Sequence, residues 1–300
     1  MGVVYSYMGY DDVKSKRVLN WKKSEKRPDE SEYLKITKKF TSSLVDLTTF
    51  KKFPNIYDQG ELGSCTANAL CCAYGFDVLN GNVQVASTDV SSSSSSSSSS
   101  VFEPSRLYLY YKEREKEHDI PDDNGAILSD GIYCLKNKGV CSEQKWPYVI
   151  QKFAVKPETD CDTEAVEHKL ILSRAVRQTQ TDIESCISAG FPVVFGFVVY
   201  PEIQTLNSVD GWVLPLPKPS EQSIGGHAVV IVGFNSTTRL FKIRNSWGDA
   251  WGDQGHFYMP YDYVLNQNLA SDFWLLTQIH DVDNQFQEVE IEVNKDLVLP

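Results

Sequence analysis

The spacing of apolar residues changes about two thirds of the way along the chain. Before residue 190 they recur every three or four positions, as on one face of a helix, and after it they alternate with polar residues, as in strands. Predicted helices cover Ser64 to the Asn80-Gly81 stop signal, Ser105 to His118, Ile127 to Lys138 and Asp182 to Ala189, with a possible short helix at Glu30 to Phe40. Predicted strands cover Phe191 to Val199, His227 to Phe234, Leu240 to Arg244, His256 to Pro260 and Asp272 to Ile279. Helices followed by strands predict an α+β fold in two lobes.

Two of the helices carry finer predictions. Ser64 is expected to cap the first helix, with Leu70, Cys71, Tyr74 and Val78 on its one apolar face. In the second helix the expected buried side chains are Leu107, Tyr108 and Tyr111, and the charged residues 112–116 are expected outside. The acids between Glu113 and Asp119, and the pair Asp122-Asp123, are predicted to be solvated surface.

Three polar segments lie outside these elements. Residues 1–42 have mixed charge and form either a solvated N-terminal arm or an inhibitory or docking leader. The ten serines of 91–100 cannot build a core and predict a flexible loop. An acidic tail follows residue 280, with the alternating stretch 289–293 as a possible edge strand. The expected division is a leader (1–42), a folded body (43–280, with a helical lobe at about 60–170 and a β-rich lobe at about 171–280) and a tail (281–300).

Composition and charge narrow the possible partners. A hydrophobic content of 41% with 12% aromatic residues is enough to fill a core. The longest apolar run, 191–199, is nine residues, far short of the roughly 20 that a membrane span needs. The net charge of −11 divides into +5 for residues 1–52 and −16 for the remainder, so nucleic acid is not an expected partner of the body. Acids near the N-terminus argue against a secretory signal and predict an intracellular or virion-associated protein.

The seven cysteines are an odd number, and without an export signal free thiols are expected. Only Cys65 is predicted in the first turn of a helix, where unpaired backbone N–H groups favour a thiolate. Gly60 and Gly63 before it permit a tight turn, and Gln59 offers an amide donor for an oxyanion. The other six are expected to pack as small apolar residues. With no CxxC and no HExxH motif, neither a metal site nor a cofactor is predicted.

A thiol nucleophile also needs a base and a group that orients the base. His227 opens an apolar strand directly after Gly225-Gly226, and Asn245 follows 18 residues later at the end of the next strand. If the two strands pair as a hairpin, both side chains lie at the same end. Each residue is ambiguous alone, because most isolated cysteines and histidines are structural, so the prediction depends on the combination.

Three segments in this order resemble the papain-like cysteine peptidases. They are QGELGSC at 59–65, GHAVVIVGF at 226–234 and NSWGDAWGDQG at 245–255, and the third is highly specific. The resemblance implies a helical left lobe, a β-barrel-like right lobe and an active-site cleft between them. It implies that Cys65 is the nucleophile and His227 the base and later acid. It also implies that Asn245 orients His227, and that Gln59 forms an oxyanion hole with the Cys65 backbone N–H.

The same resemblance implies how substrate is held. The loop Asn124-Gly125-Ala126 would pair with an extended peptide, Gly226 and Ala228 would line the cleft, and Trp247 would cover the hydrogen bond between His227 and Asn245. The expected partners are a peptide or protein substrate and, within the chain, the N-terminal leader over the cleft. Further assembly partners are not identified by the sequence.

The sequence departs from the family pattern at two positions. Thr66 replaces a common aromatic residue, and Leu62 replaces a cysteine that is commonly disulfide-bonded. The sequence around Cys65 resembles the bacterial and large-virus branch of the family, which is xylellain-like. The chain contains no clear version of the cathepsin propeptide signature. Peptide hydrolysis is the expected activity. A structural or interaction component of a virion or other assembly, and a transferase or deamidase with the same thioester chemistry, remain alternatives.

Overall fold

Helix α1 is enclosed by other elements because its side chains are small or apolar on every face. The computed structural model describes residues 17–81, 102–278 and 282–287. All side chains of α1 from Cys65 to Asp77 are buried, so the expectation of a single apolar face is wrong. The helices in this described part are α1 (Cys65–Leu79), α2 (Arg106–Lys116), α3 (Leu128–Asn137), α4 (Thr159–Ala165), α5 (Gln180–Ser188) and α6 (Tyr261–Val264).

An antiparallel sheet is built mainly from the second half of the chain. Its strands are β1 (Leu44–Asp46), β2 (Leu172–Ala175), β3 (Val193–Val199), β4 (Gly225–Asn235), β5 (Leu240–Arg244), β6 (His256–Pro260) and β7 (Ala270–Thr277). The order is β2-β7-β3-β4-β5-β6, and β1 pairs with the end of β4. The α+β class is therefore confirmed, but the sheet is open between its outer strands β2 and β6 rather than barrel-like.

The sheet separates two apolar clusters, and strand β3 supplies both by the alternation of its side chains. Val193, Phe195 and Phe197 belong to the cluster on the outer face, which is covered by α5 and α6. Val194 belongs to the cluster that also contains the apolar residues of α1, α2 and α3. The next position on this helix-facing side of β3 is Gly196.

Helix α2 buries charged residues that were expected in solvent. Lys112, Glu113 and Arg114 are all buried. Each has polar partners, since burial of a charge without them is costly. Lys112 Nζ lies 2.8 Å from a carboxylate oxygen of Asp162, Arg114 donates to three backbone carbonyls, and Glu113 accepts from Thr66.

The short helix expected at residues 30–40 is wrong apart from one 3-10 turn at Glu30–Glu32. Beyond it the backbone pairs with distant segments: Leu34 N–H donates to the Ala175 carbonyl, and Lys38 N–H to that of Phe286. The serine run 91–100 and the possible strand at 289–293 lie outside the described residues. Within those residues no helix is long and apolar enough to cross a membrane.

Candidate active site

Cys65 begins helix α1 and is completely buried. Its sulfur is approached by the backbone N–H groups of Ala228, Thr66 and Asn20, each of which lowers the pKa of the thiol. Ser64 precedes the helix as expected, but its hydroxyl contacts the Tyr148 hydroxyl at 2.5 Å instead of capping a backbone N–H. The first turn therefore keeps its backbone donors directed at the sulfur rather than satisfied by a side chain.

His227 and Asn245 come together because β4 and β5 pair as a hairpin, with Val230 opposite Arg244. His227 Nε2 lies 2.8 Å from Asn245 Oδ1, and the same oxygen accepts the Ser246 N–H at 2.8 Å. Because an amide oxygen only accepts, Nε2 carries the proton of the neutral imidazole. Nδ1 is thus the nitrogen left for proton exchange, and it is buried with no hydrogen-bond partner among the described residues.

Two further side chains fix this arrangement. The Trp247 ring stacks on His227 with centroids 4.9 Å apart, and it is itself buried. Gln59 Oε1 accepts from the Ser246 hydroxyl at 2.7 Å, which turns the amide nitrogen toward Leu62 O, 2.9 Å away. Ser246 thus holds the Gln59 side-chain oxygen and Leu62 holds its nitrogen, so Nε2 donates toward the loop that precedes Cys65.

Residues 17–22 of the leader pass directly over this site. Trp21 N–H donates to Gly226 O at 3.0 Å, and Gly226 N–H donates back to Leu19 O at 3.2 Å. Lys22 N–H donates to Ala126 O at 3.0 Å, on the opposite wall. Gln59 Nε2 also lies 3.4 Å from Val18 O. Residues 18–22 are therefore held against the folded body rather than solvated.

The leader meets the sulfur with a backbone amide. Asn20 N–H points to Cys65, and the Asn20 carbonyl lies so close to Gly125 that a Cβ there would be 1.7 Å away. Gly125 has φ +76°, so a side chain is excluded by its backbone as well.

Charged side chains hold the leader at both ends of its passage. Arg17 Nη1 is 2.6 Å from Asp58 Oδ1, and Lys22 Nζ is 2.9 Å from Glu117 Oε2 and 2.8 Å from Asp119 Oδ2. Burial lowers the pKa of Lys22, but its hydrogen bonds to Asp119 and Glu117 outweigh burial and raise it overall. The leader is basic and this side of the cleft is acidic, as the uneven charge of the sequence indicated.

The covered site is electrically neutral. Burial raises the pKa of the Cys65 thiol to about 12, against the lowering by its backbone donors. Burial lowers the pKa of His227 to about 4; the hydrogen bond to Asn245 opposes this shift and the positive charge of Arg17 adds to it. At pH 7 the pair under the leader is consequently a thiol and a neutral imidazole, because water that would stabilise their charges is excluded.

Most of the residues predicted from the sequence converge here, and one does not. The convergent set is Gln59, Cys65, Gly125, Ala126, Gly226, His227, Ala228, Asn245 and Trp247. Asn124 is exposed, and its amide donates to Asp119 Oδ1 at 3.0 Å, on the carboxylate whose other oxygen contacts Lys22 of the leader. Its predicted contact with a peptide receives no support from this arrangement.

Asp123 was predicted to be solvated surface and is instead part of the site. Both of its carboxylate oxygens accept the Gly63 N–H, at 3.0 and 3.1 Å, and it also accepts from the Tyr110 hydroxyl. Its own carbonyl accepts from the Asn20 side chain at 2.8 Å. Asp123 thus fixes the glycine turn before Cys65, a role that no local sequence signal indicates because its partner is 60 residues away.

Thr66 and Glu113 form a buried pair next to Cys65. The Thr66 hydroxyl donates to Glu113 Oε2 at 2.8 Å. Burial raises the pKa of Glu113 well above its ordinary value, although the bond from Thr66 lowers it. A charged Glu113 would raise the pKa of Cys65. Thr66, which departs from the family pattern, therefore donates a hydrogen bond to the Glu113 carboxyl group.

Within residues 17–81, 102–278 and 282–287, no three His, Cys, Asp or Glu side chains are grouped as metal ligands. The seven cysteines are all free and buried.

Similarity to known proteins is extensive. The family model for papain family cysteine proteases matches residues 42–273. An uncharacterized peptidase C1-like protein of Acanthamoeba polyphaga mimivirus is 37% identical over 268 residues, which are 85% of this chain and 81% of that protein. The leader up to residue 41 precedes the segment that the family model matches.

Solved structures agree with these relatives. Xylellain, a cysteine protease from Xylella fastidiosa, has a TM-score of 0.72 at 34% identity, covering 88% of this chain and 98% of that one. A Carica candamarcensis cysteine protease in complex with E-64 has a TM-score of 0.55 at 20% identity, covering 79% and 99%, and supports the fold alone.

The buried Glu113 makes a prediction about stability and pH. Its pKa is higher in the folded than in the unfolded chain, so its contribution is complete below the unfolded pKa and is lost as pH rises toward the folded pKa. In Glu113→Gln this dependence disappears. Chemical denaturation between pH 4 and 8 should therefore show that the unfolding free energy of the wild type falls relative to that of Glu113→Gln as pH rises. A difference that does not change with pH would contradict the raised pKa of Glu113.

Proposed function

The chain belongs to the papain family of cysteine proteases, and from this we propose that it is a peptidase whose active site is Cys65, His227, Asn245 and Gln59, held inactive by its own leader. The family assignment supports a cysteine peptidase acting on proteins. The observation that carries the residue assignment is the His227 Nε2 to Asn245 Oδ1 hydrogen bond of 2.8 Å beside a cysteine at a helix N-terminus.

The proposed reaction requires a charged pair. When the leader leaves, water reaches the cleft, so the pKa of Cys65 falls and that of His227 rises, and the proton moves from sulfur to Nδ1. Loss of Arg17 from the cleft acts in the same direction on His227. Helix α1, whose first turn points at the sulfur, stabilises the thiolate. Asn245 is a neutral partner that orients the imidazolium without removing its proton.

Acylation then proceeds by attack of the thiolate on a peptide carbonyl carbon. A carbon–sulfur bond forms, and the oxyanion accepts hydrogen bonds from Gln59 Nε2 and the Cys65 N–H. His227 Nδ1 gives its proton to the amide nitrogen as the carbon–nitrogen bond breaks, which leaves a thioester. Water attacks the thioester while His227 takes a proton from it, and cleavage of the carbon–sulfur bond regenerates the thiolate.

The leader is proposed to act as the inhibitor that the sequence suggested. Its backbone pairs with Gly226 on one wall of the cleft and Ala126 on the other. Val18 O lies 3.4 Å from Gln59 Nε2, the donor proposed for the oxyanion. A substrate needs the same groups, so leader and substrate exclude each other. Whether the leader is removed by cleavage or only displaced, the active form is the one in which these groups are free.

The viral relative supports a place of action inside a cell or a virion, as proposed from the sequence. It is the mimivirus peptidase C1-like protein, which aligns with 85% of this chain.

We expect Cys65→Ala to abolish hydrolysis. In a chain with a weakened leader, such as Lys22→Glu, peptide turnover should fall by at least about a thousandfold when Cys65 is replaced, because no other group forms the thioester. E-64, the ligand of the Carica protease, should add once to the chain by intact mass spectrometry, and not to Cys65→Ala. Cys161→Ala, which removes another buried thiol, should keep both peptide turnover and the single addition of E-64. Turnover by Cys65→Ala would refute the assignment.

Charge reversal in the leader should activate the enzyme. Lys22→Glu replaces two attractions, at 2.9 and 2.8 Å, with two repulsions, so the leader should leave the cleft more often and hydrolysis of a short peptide should rise at least about tenfold. Lys26→Glu is the matched control, because Lys26 is exposed in the same leader and its ion pair with Asp29 is long, at 3.9 Å. Equal rates in wild type and both variants, at low ionic strength, would reject inhibition by the leader.

A further inference from the structure

The Tyr148 hydroxyl contacts both ends of the loop that carries the two proposed oxyanion donors. It lies 3.0 Å from the Gln59 carbonyl oxygen, at the start of this loop, and 2.5 Å from the hydroxyl oxygen of Ser64, the residue before Cys65. The donors themselves are the Gln59 side-chain amide and the Cys65 N–H. One tyrosine oxygen therefore connects the two ends of the loop whose spacing decides whether both donors reach the same oxyanion.

The donor and acceptor roles in this contact follow from its end groups. The Gln59 carbonyl can only accept, so Tyr148 donates its single proton there. The Ser64 hydroxyl then donates to the Tyr148 oxygen, and its own oxygen accepts from the Asn68 amide at 3.0 Å. Burial raises the pKa of Tyr148 to about 12, so the proton stays on its oxygen at neutral pH. Each hydrogen bond in this row polarises the next, which strengthens the last one, to Gln59.

Arg106 begins the row and also holds the tyrosine ring. Its Nη1 donates to Asn68 Oδ1 at 3.2 Å, and its guanidinium carbon lies 4.1 Å from the centre of the Tyr148 ring and 4.4 Å from that of Tyr57. Glu143 Oε1 accepts the Tyr148 N–H at 2.7 Å and lies 3.4 Å from Arg106 Nη2. Charged side chains therefore fix both the ring and the backbone of Tyr148, while its hydroxyl is directed at the loop.

Tyr148 can influence the reaction only through this loop. Its one proton is donated to the Gln59 carbonyl, so it has none left for an oxyanion. Its two partners, the Gln59 carbonyl and the Ser64 hydroxyl, are groups that the proposed reaction does not use. Both contacts can therefore persist when Gln59 Nε2 donates to an oxyanion.

We propose that Tyr148 is a positioning residue of this peptidase, and that its hydroxyl fixes the spacing between the Gln59 amide and the Cys65 N–H. The proposal rests on the proposed function, because spacing matters only if these two groups bind an oxyanion. It separates Tyr148 from a tyrosine that merely stabilises the fold. Loss of the hydroxyl should slow the steps in which a carbonyl oxygen becomes charged, and it should leave the reactivity of the thiol unchanged.

The first test measures peptide hydrolysis in the full chain with Lys22→Glu. Tyr148→Phe removes the hydroxyl but keeps the ring that Arg106 contacts. A misplaced donor weakens the transition state more than the bound substrate, so kcat should fall at least about tenfold while KM changes less than about twofold. A kcat within about twofold of that of the parent chain would overturn the proposal.

Tyr263→Phe is the matched control for this substitution. The Tyr263 hydroxyl also donates to a backbone carbonyl, that of Val198, at 2.8 Å, but it does not contact the loop. Tyr263→Phe should therefore keep the kcat of the parent chain. If it lowers kcat as much as Tyr148→Phe does, the loss is not specific to the loop and the proposal is overturned.

The second test compares two reagents for Cys65 in the same chains. When the thiolate adds to a peptide aldehyde, a carbon–sulfur bond forms and the carbonyl electron pair moves to the oxygen, which needs the oxyanion donors. Iodoacetamide forms a carbon–sulfur bond as iodide leaves, and no oxyanion arises. Tyr148→Phe should weaken aldehyde binding at least about tenfold and change the alkylation rate less than about twofold. Equal losses with both reagents would indicate a general structural role and overturn the proposal.

The third test asks whether Tyr148 acts through Gln59, as a double-mutant cycle on aldehyde binding. In the Gln59→Ala background, Tyr148→Phe should weaken binding less than about threefold, because the spacing no longer matters once one donor is missing. A full loss in that background as well overturns the proposal. A Lys22→Glu chain that hydrolyses no peptide counts against the proposed function, and the comparison of aldehyde with iodoacetamide then decides the role of Tyr148.

Discussion

Backbone pairing of the leader with both walls of the cleft is the interaction on which the state of this active site depends. Three hydrogen bonds between residues 19–22 and the residues Gly226 and Ala126 place a strand of the chain across the sulfur. They exclude water, and exclusion of water is the largest cause of the pKa shifts of both Cys65 and His227. Cys65 and His227, the proposed nucleophile and base, lie on the expected elements, but the charge separation that the proposed chemistry requires is suppressed.

Two electrostatic features act against the nucleophile from opposite sides. Arg17 of the leader lowers the pKa of His227 from the front, and Glu113 of α2 would raise that of Cys65 from behind if it were charged. The effect of Arg17 ends when the leader leaves the cleft. The second feature is opposed by burial, which raises the pKa of Glu113, whereas the hydrogen bond from Thr66 lowers that pKa.

The sequence was sufficient for the elements that carry the machinery. Apolar alternation located β4 and β5, the Asn-Gly stop located the end of α1, and the motifs around Cys65, His227 and Asn245 identified residues that the fold brings together. It failed where burial of a charge is decided by a distant partner. Lys112, Glu113 and Asp123 look like surface residues locally, and only the folded chain brings them to Asp162, Thr66 and Gly63. The sequence suggested a leader over the cleft but not its hydrogen-bond partners, since extended backbone that pairs with Gly226, about 200 residues away, leaves no periodic pattern.

The most direct measurement of the central claim is the pH dependence of Cys65 alkylation by iodoacetamide, located by peptide mass spectrometry, in wild type and in a chain whose leader is weakened. The covered thiol should react slowly at pH 7 and accelerate only in alkali. The uncovered site should react rapidly down to mildly acidic pH, as a thiolate paired with imidazolium does. If wild-type Cys65 already reacts at pH 7 as rapidly as in the weakened chain, the leader does not control the charge of the pair, and the account is contradicted.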